Sequence, residues 1–211
     1  MGRTSDARER ILEAGAELFG QRAYSAIGVS EICTAAGVPK GSFYYFFPSK
    51  QALVLEVVNV HWVGQRSEWT SMLSEPIPLI ARLRNLFEAT AQVQRDALAG
   101  VGSVTGCLFG NLALEVGGQD VPVRERVQEI FEEQIDLIDA SLRAAIETGE
   151  LPEHIGGDSS DDDGGGTRST AKAIVAQLEG LVLFARLFND PAQLDQLWRN
   201  SLNLLRLEPA V

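Results

Sequence analysis

Apolar side chains recur every three or four residues along most of the chain, and no stretch sustains the alternation of β-branched and aromatic residues that a half-buried strand requires. That spacing gathers the apolar residues of each segment onto one helical face, so the expected fold class is all-α. The first segment puts Ala7, Ile11, Ala14 and Leu18 on one face, with Thr4-Ser5-Asp6 as N-cap chemistry ahead of it and an end near Gln21 or Arg22. Two short helices fit between Val29 and Phe46, split by Gly37. Ser49 can cap a longer helix running through Leu53, Val57 and Val60 toward Met72. Glu75-Pro76-Ile77-Pro78 interrupts the pattern, because neither proline donates a helical hydrogen bond.

Beyond the prolines the spacing predicts helices over Leu79–Leu98, Val121–Thr148 (with Gly149 as the stop), Ser169–Phe188 and Pro191–Leu207, and a glycine-spaced segment from Gly100 to Gly118. Ile155 to Thr167 is glycine, serine and aspartate with almost nothing to bury, and is expected to be a flexible acidic loop. Its aspartates do not fit a calcium loop. With Gly164 at the sixth position, Thr170 would stand where a bidentate Glu is needed.

Hydrophobic residues are 45% and charged residues 22% of 211, enough apolar material for a core. Two cysteines are too few for a disulfide framework, and no CxxC pair suggests a zinc site. No apolar run is long enough to span a membrane and the charged N-terminal residues lead into no signal-peptide core, so no membrane association and a cytoplasmic location are expected. The net charge of −11 argues against nucleic acid only if it is spread evenly, and it is not. Residues 1–50 hold six Lys/Arg against five acids, whereas the rest holds 12 against 24. Local potential, not the total, decides whether a surface can meet phosphate.

Residues 27–53, IGVSEICTAAGVPKGSFYYFFPSKQAL, read as a helix-turn-helix. Ile32 and Ala36 face inward, small Ala35 allows close approach, Gly37 supplies a positive backbone angle and Val38 plugs the junction. Pro39 opens the second helix, where its missing N–H is harmless. That helix, Lys40 to Phe46, is dense in groups that suit DNA. Lys40 offers a cation, Ser42, Tyr44 and Tyr45 offer hydroxyls, and Gly41 allows close backbone approach. Lys50 sits at the start of the following helix, where its charge adds to the helix dipole in attracting phosphate. Phe43 and Phe47 are expected in the small core.

Here the chain resembles the TetR family of transcriptional regulators. The string Ala36-Gly37-Val38-Pro39-Lys40-Gly41-Ser42-Phe43-Tyr44, continued by Phe47, Ser49-Lys50 and Leu53, is similar to that family's signature. The resemblance implies a three-helix DNA-binding domain over residues 1–50 and a ligand-binding and dimerisation domain over 51–211. It also implies a homodimer on double-stranded operator DNA, released by a small-molecule effector, with repression the commoner mode. From the residues themselves, no cofactor or metal is expected. Residues matching the family's DNA-contacting positions are Lys40, Gly41, Ser42, Tyr44, Tyr45 and Lys50. Four positions depart from the pattern. Ala23 stands where a glycine commonly ends the first helix, Gly28 where a Ser or Thr cap is usual, Cys33 for a common alanine, and Phe46 for a frequent His or Tyr.

One short recognition helix reads only a few base pairs, so a two-fold dimer on half-sites about 34 Å or a multiple apart is expected. Leu178, Leu181, Val182, Ala185 and Phe188, with Gly180, and Leu194, Leu197, Trp198, Leu202 and Leu205 are the stripes expected to pair. For the effector, Trp62, Trp69, Phe87, Phe109, Phe131 and Phe184 offer apolar lining. Gly106-Cys107-Leu108-Phe109-Gly110-Asn111 places Cys107 and Asn111 on one face of a glycine-bearing helical stretch. It resembles the Gly-Cys-Leu segment of a TetR-like subgroup that senses electrophiles or small unsaturated acids, which implies that Cys107 lies near the effector. An inert buried thiol is the other reading of Cys107.

The histidines, His61 and His154, lack neighbours at a catalytic or metal-binding spacing, so an enzyme is not expected. A helical scaffold that binds protein instead of DNA is the alternative reading. Steep salt dependence on duplex DNA separates it from a phosphate-binding protein.

Overall fold

The structure, a computed structural model, describes residues 2–116, 120–152 and 166–205, with side chains from residue 6 onward. Most of the acidic segment 155–167, His154, Gly118 and Leu207 therefore lie outside the described residues. No strand occurs among the described residues, and the helices are α1 (Gly2–Gln21), α2 (Val29–Ala35), α3 (Lys40–Phe46), α4 (Lys50–Leu73), α5 (Leu79–Val101), α6 (Leu108–Val116), α7 (Val121–Glu147), α8 (Thr167–Phe188) and α9 (Gln196–Leu204). The fold class is all-α. The first helix begins before Thr4, so the Thr4-Ser5-Asp6 boundary falls inside it.

Packing divides the chain into two compact units, residues 1–64 with 107–129, and residues 65–106 with 130–211. The expected boundary at residue 50 is thus not where the packing changes, and α6 with the start of α7 belongs to the unit of the helix-turn-helix.

In the first unit α1 buries Ile11, Ala14 and Phe19 on one face. Gly15 lets α4 approach closely, since a Cβ there would meet Leu53 Cδ2 at 3.0 Å. The α2–α3 turn closes as a Schellman motif, with Val38 N–H donating to Cys33 O (3.0 Å) and Gly37 N–H to Thr34 O (3.1 Å). Gly37 has φ +61°, a conformation a side chain would oppose. From α1, Arg10 Nη1 donates to Ala36 O (3.0 Å) and Gly37 O (3.2 Å), satisfying carbonyls left over at the end of α2. Ile32, Ala36, Val38, Phe43 and Phe47 are buried as expected, whereas Ala35 is exposed and leaves the close approach to Ala36. Ser49 Oγ accepts the Ala52 N–H at 3.0 Å, capping α4.

In the second unit α5 buries Leu79, Leu83, Leu86, Phe87 and Ala91. Gln94, also buried, binds both sides of one peptide, accepting from Gly106 N–H (2.9 Å) and donating to Gly106 O (3.2 Å). Gly106 precedes α6 instead of lying within it. The expected Pro191–Leu207 helix is two pieces, a 3-10 turn over Pro191–Asp195 and then α9. Asp190 drives the break, accepting the Ala192 N–H at 3.0 Å and a Gln193 amide N–H at 2.9 Å.

The stripes expected to pair two chains need correction. Leu178, Val182, Ala185, Leu194, Leu197, Leu202 and Leu205 are buried within this unit, and Leu181 and Trp198 are half-buried. The exposed face of α8 is instead Leu183, Phe184, Leu187 and Phe188, at 46, 47, 69 and 62% exposure. Only Phe188 of the expected α8 stripe belongs to it.

Candidate nucleic-acid interface

Helix α3 separates its aromatic residues by face. Phe43 is fully buried and Phe47 nearly so, while Tyr44 is 50% and Tyr45 75% exposed. The exposed rings are braced from below: Tyr44 meets Phe43 edge-on at 5.3 Å and Tyr45 meets Phe46 edge-on at 4.8 Å. Edge-to-face packing of this kind helps to hold a ring in place. Lys40 and Gly41 are exposed and Ser42 half-buried at the start of the same helix.

The cations around this helix are mostly engaged. Arg8 pairs with Glu56 at 2.7 Å and lies over the Phe47 ring, Arg22 pairs with Glu31, and Arg10 holds the end of α2. Among the described side chains of residues 6–50, Lys40 is the cation without a polar partner in the protein. Its ammonium is free to meet an external anion.

Lys50 is placed differently from the expectation. Its Nζ donates to Tyr24 O (2.8 Å) and Ile27 O (2.9 Å) and sits 4.3 Å from the centroid of the Tyr24 ring. Burial lowers its pKa, opposed by the charges of Glu115 and Asp120. Two of its three N–H donors are spent on the corner between α1 and α2, so it clamps that corner and is not a wholly free cation.

That corner was missed by sequence reasoning. A 3-10 turn over Tyr24–Ala26 follows Ala23, whose side chain cannot cap it. Glu115 on α6 does so instead: its Oε1 accepts the Tyr24 N–H and its Oε2 accepts both the Ser25 N–H and the Ser25 hydroxyl, each at 3.0 Å. Asp120 accepts from the Tyr24 hydroxyl (3.1 Å) and from the Gln51 amide (2.8 Å). Burial first, then Asp120, pushes the Tyr24 phenol well above its ordinary range. The one sequence signal was negative, an alanine where a helix-ending glycine is usual.

Residues 11–57 match the profile of the bacterial regulatory proteins of the tetR family, and residues 80–201 match the tetracyclin repressor-like C-terminal domain. The chain belongs to the TetR family.

A TetR-family chain with this hairpin is a helix-turn-helix DNA-binding transcriptional regulator. It is 29% identical over 93% of its length to the HTH-type transcriptional repressor DhaR of Mycobacterium sp. strain GP1, covering 90% of that protein. It is 32% identical over 86% of its length to the transcriptional regulator AcuR of Cereibacter sphaeroides, covering 77% of that protein. The solved structure of a regulatory protein TetR from Rhodobacter sphaeroides superposes with a TM-score of 0.76 at 29% identity, over 95% of this chain and 97% of that one.

The aromatic residues expected to line an effector pocket are not gathered in one unit of this TetR-family chain. Trp62, Cys107 and Asn111 fall in the first unit, and Trp69, Phe87, Phe131 and Phe184 in the second. Trp69 and Phe87 are buried, Phe131 is half-buried and Phe184 is exposed on α8. In the first unit Trp62 is buried against Phe109, which also meets His61 at 5.4 Å. Cys107 is half-buried at the start of α6, where its Sγ accepts the Gly110 N–H at 3.5 Å, and Asn111 N–H donates to Cys107 O at 2.9 Å. The shared face of Cys107 and Asn111 continues one turn later to Glu115. No helix among the described residues is long and apolar enough to cross a membrane.

Proposed function

We propose that the chain is a cytoplasmic, ligand-responsive repressor that binds a palindromic operator as a homodimer and leaves it when a small molecule binds. The observation that carries this reading is the outer face of α3: a free ammonium on Lys40 beside two braced, exposed tyrosines, on an otherwise acidic protein. Lys40, Ser42, Tyr44 and Tyr45 supply contacts to phosphate and base edges, and Gly41 lets the backbone come near. Lys50 positions the corner that carries the hairpin.

The exposed α8 face supports a two-fold pairing through Leu183, Phe184, Leu187 and Phe188. Two copies of α3 then enter major grooves separated by about one helical turn or a multiple, near 34 Å each. On the effector side, the Cys107–Asn111 face of α6 and the Trp62–Phe109 cluster are the groups within the DNA-reading unit. The seven expected pocket residues, Trp62, Trp69, Phe87, Cys107, Asn111, Phe131 and Phe184, narrow to these three of their number in that unit. An effector acts only if it prefers the conformation whose recognition helices are wrongly spaced, and DNA must weaken effector binding by the same factor.

Selection of bound fragments from random duplex DNA, repeated with candidate small molecules, tests this. A palindromic consensus that disappears on adding an effector is expected. Retention of no duplex at any salt concentration overturns the reading.

A further inference from the structure

The α1–α2 corner is held at both poles of its peptide groups. Its N–H groups, on Tyr24 and Ser25, point to the Glu115 carboxylate on α6, and its carbonyls, on Tyr24 and Ile27, point to the Lys50 ammonium on α4. An anion on donors and a cation on acceptors are the strong, charge-assisted form of these bonds. Ile27, in the same corner, is buried. Gly28 follows and starts α2, with its carbonyl accepting from Glu31 N–H (3.0 Å) and Ile32 N–H (3.2 Å). The corner thus runs directly into the first turn of α2.

Glu115 reaches this corner from about 90 residues away in sequence and uses both carboxylate oxygens to do so. A carboxylate bound through both oxygens fixes direction as well as distance. Ala23, at the cap position of the turn, has no acceptor to replace it. Glu115 also stands on the same face of α6 as Asn111 and Cys107, on successive turns. That face therefore runs from the N-cap thiol of α6 to the corner within one nine-residue helix, about 13 Å long.

We propose that Glu115 is the positioning residue through which α6 sets the attitude of the DNA-reading hairpin, by a route that enters at the α1–α2 corner and is separate from any lever motion of α4. The proposal rests on the reading of the chain as a DNA-binding regulator. A shift or rotation of α6 withdraws the carboxylate from two N–H groups at once, and the corner loses its cap. By reciprocity, clamping the hairpin on DNA must be felt at the end of α6.

The test uses the full chain and a duplex recovered from the selection above, with amide hydrogen exchange read residue by residue. In the free wild-type protein the Tyr24 and Ser25 amides exchange slowly; Glu115→Ala speeds both by about tenfold or more and leaves Val38 and Phe47 in the hairpin core unchanged. In wild type, duplex binding slows exchange both along α3 and over Leu112–Val116. In Glu115→Ala the slowing on α3 persists and that over Leu112–Val116 disappears. A merely structural role for Glu115 does not predict that disappearance. If Glu115→Ala does not fold, Glu115→Gln gives the same reading, since an amide keeps one acceptor and turns a donor toward a donor. Unprotected Tyr24 and Ser25 amides in wild type, or slowing over Leu112–Val116 that survives the substitution, overturn the proposal. A wild-type chain that binds no duplex overturns the regulator reading itself and this route with it, an outcome distinct from a chain that binds DNA without signalling to α6.

Discussion

Helices α3 and α8 both expose aromatic rings, and the surroundings of those rings differ. On α3 the exposed rings are tyrosines, which carry hydroxyls, on the same short helix as Lys40 and Ser42, and Phe43 and Phe46 meet them edge-on. On α8 the exposed side chains are Leu183, Phe184, Leu187 and Phe188, which carry no polar atom, and the two phenyl rings lean on one another at 6.1 Å. A tyrosine face can remain hydrated and still form hydrogen bonds to a polar target. A Leu/Phe face gains only by being covered, at about 25 cal/mol per Å² of apolar surface removed from water. Aromatic content alone therefore does not identify a ligand-binding surface. Phe184, one of the aromatic residues expected to line an effector pocket, is 47% exposed on this apolar face.

Charge placed on the apolar side should produce the largest effect. Phe184→Glu with Leu187→Glu puts two carboxylates per protomer on the face proposed to pair. The dimer is expected to dissociate, and operator affinity to fall at least about 100-fold, equivalent to roughly 2.7 kcal/mol. Sedimentation velocity and operator titration check this, and denaturation of the monomer should be little changed because both residues are exposed. A double variant that stays dimeric would move the pairing surface elsewhere.

On the polar side the expected effects are smaller and of another kind. Lys40→Ala removes one phosphate partner per protomer. The slope of log affinity against log salt should become less negative by about 0.9 for each phosphate no longer neutralised, with affinity lower by around tenfold. Tyr45→Phe keeps the braced ring and removes the hydroxyl, so affinity should drop a few-fold, in line with about 0.5–1.5 kcal/mol per hydrogen bond, with the salt slope unmoved. If both variants change the slope equally, the division between cation and hydroxyl roles fails.

The DNA-reading hairpin was legible in the sequence because its determinants are local. Gly37, Val38 and Pro39 fix a turn within three residues, and Ile32, Ala36, Phe43 and Phe47 declare an inner face by spacing alone. The outward face of α8 was not legible. From Leu178 to Phe188 apolar residues occupy nearly the whole circumference, so periodicity cannot say which half is core, and the longer Leu178–Val182–Ala185 stripe is the one the unit buries. The break at Pro191–Asp195 goes with the Asp190 side chain turning back onto Ala192, and an aspartate before a proline reads equally as an ordinary helix start. The Glu115 cap was beyond reach for a different reason. Nothing in its own neighbourhood marks an acid 90 residues distant from the N–H groups it serves.

The corner held by that cap also distinguishes the two surfaces by pH, and here the smallest effect is expected. The Tyr24 phenol has its folded-state pKa raised, by burial first and by Asp120 second. A raised pKa means that the folded protein keeps a proton which the unfolded chain releases above about pH 10. The stability contributed by Tyr24 is then complete below pH 10 and declines as pH rises above it. Tyr24→Phe has no such proton to keep, and it also lacks the 3.1 Å bond to Asp120, so it starts out less stable than wild type at pH 8. The gap between the two proteins should narrow steadily from pH 9 to pH 11.5 in urea denaturation. Lys50 titrates in the same region with the opposite sign, because its lowered pKa makes stability rise with pH toward its ordinary value near 10.4. Lys50 is present in both proteins, so the difference between them isolates the phenol. The exposed face of α8 holds no titrating group among Leu183, Phe184, Leu187 and Phe188, and a Phe184→Leu control should leave the pH profile parallel to wild type. A Tyr24→Phe profile equally parallel would mean that the phenol titrates alike in the folded and unfolded chain, shifted neither by burial nor by Asp120.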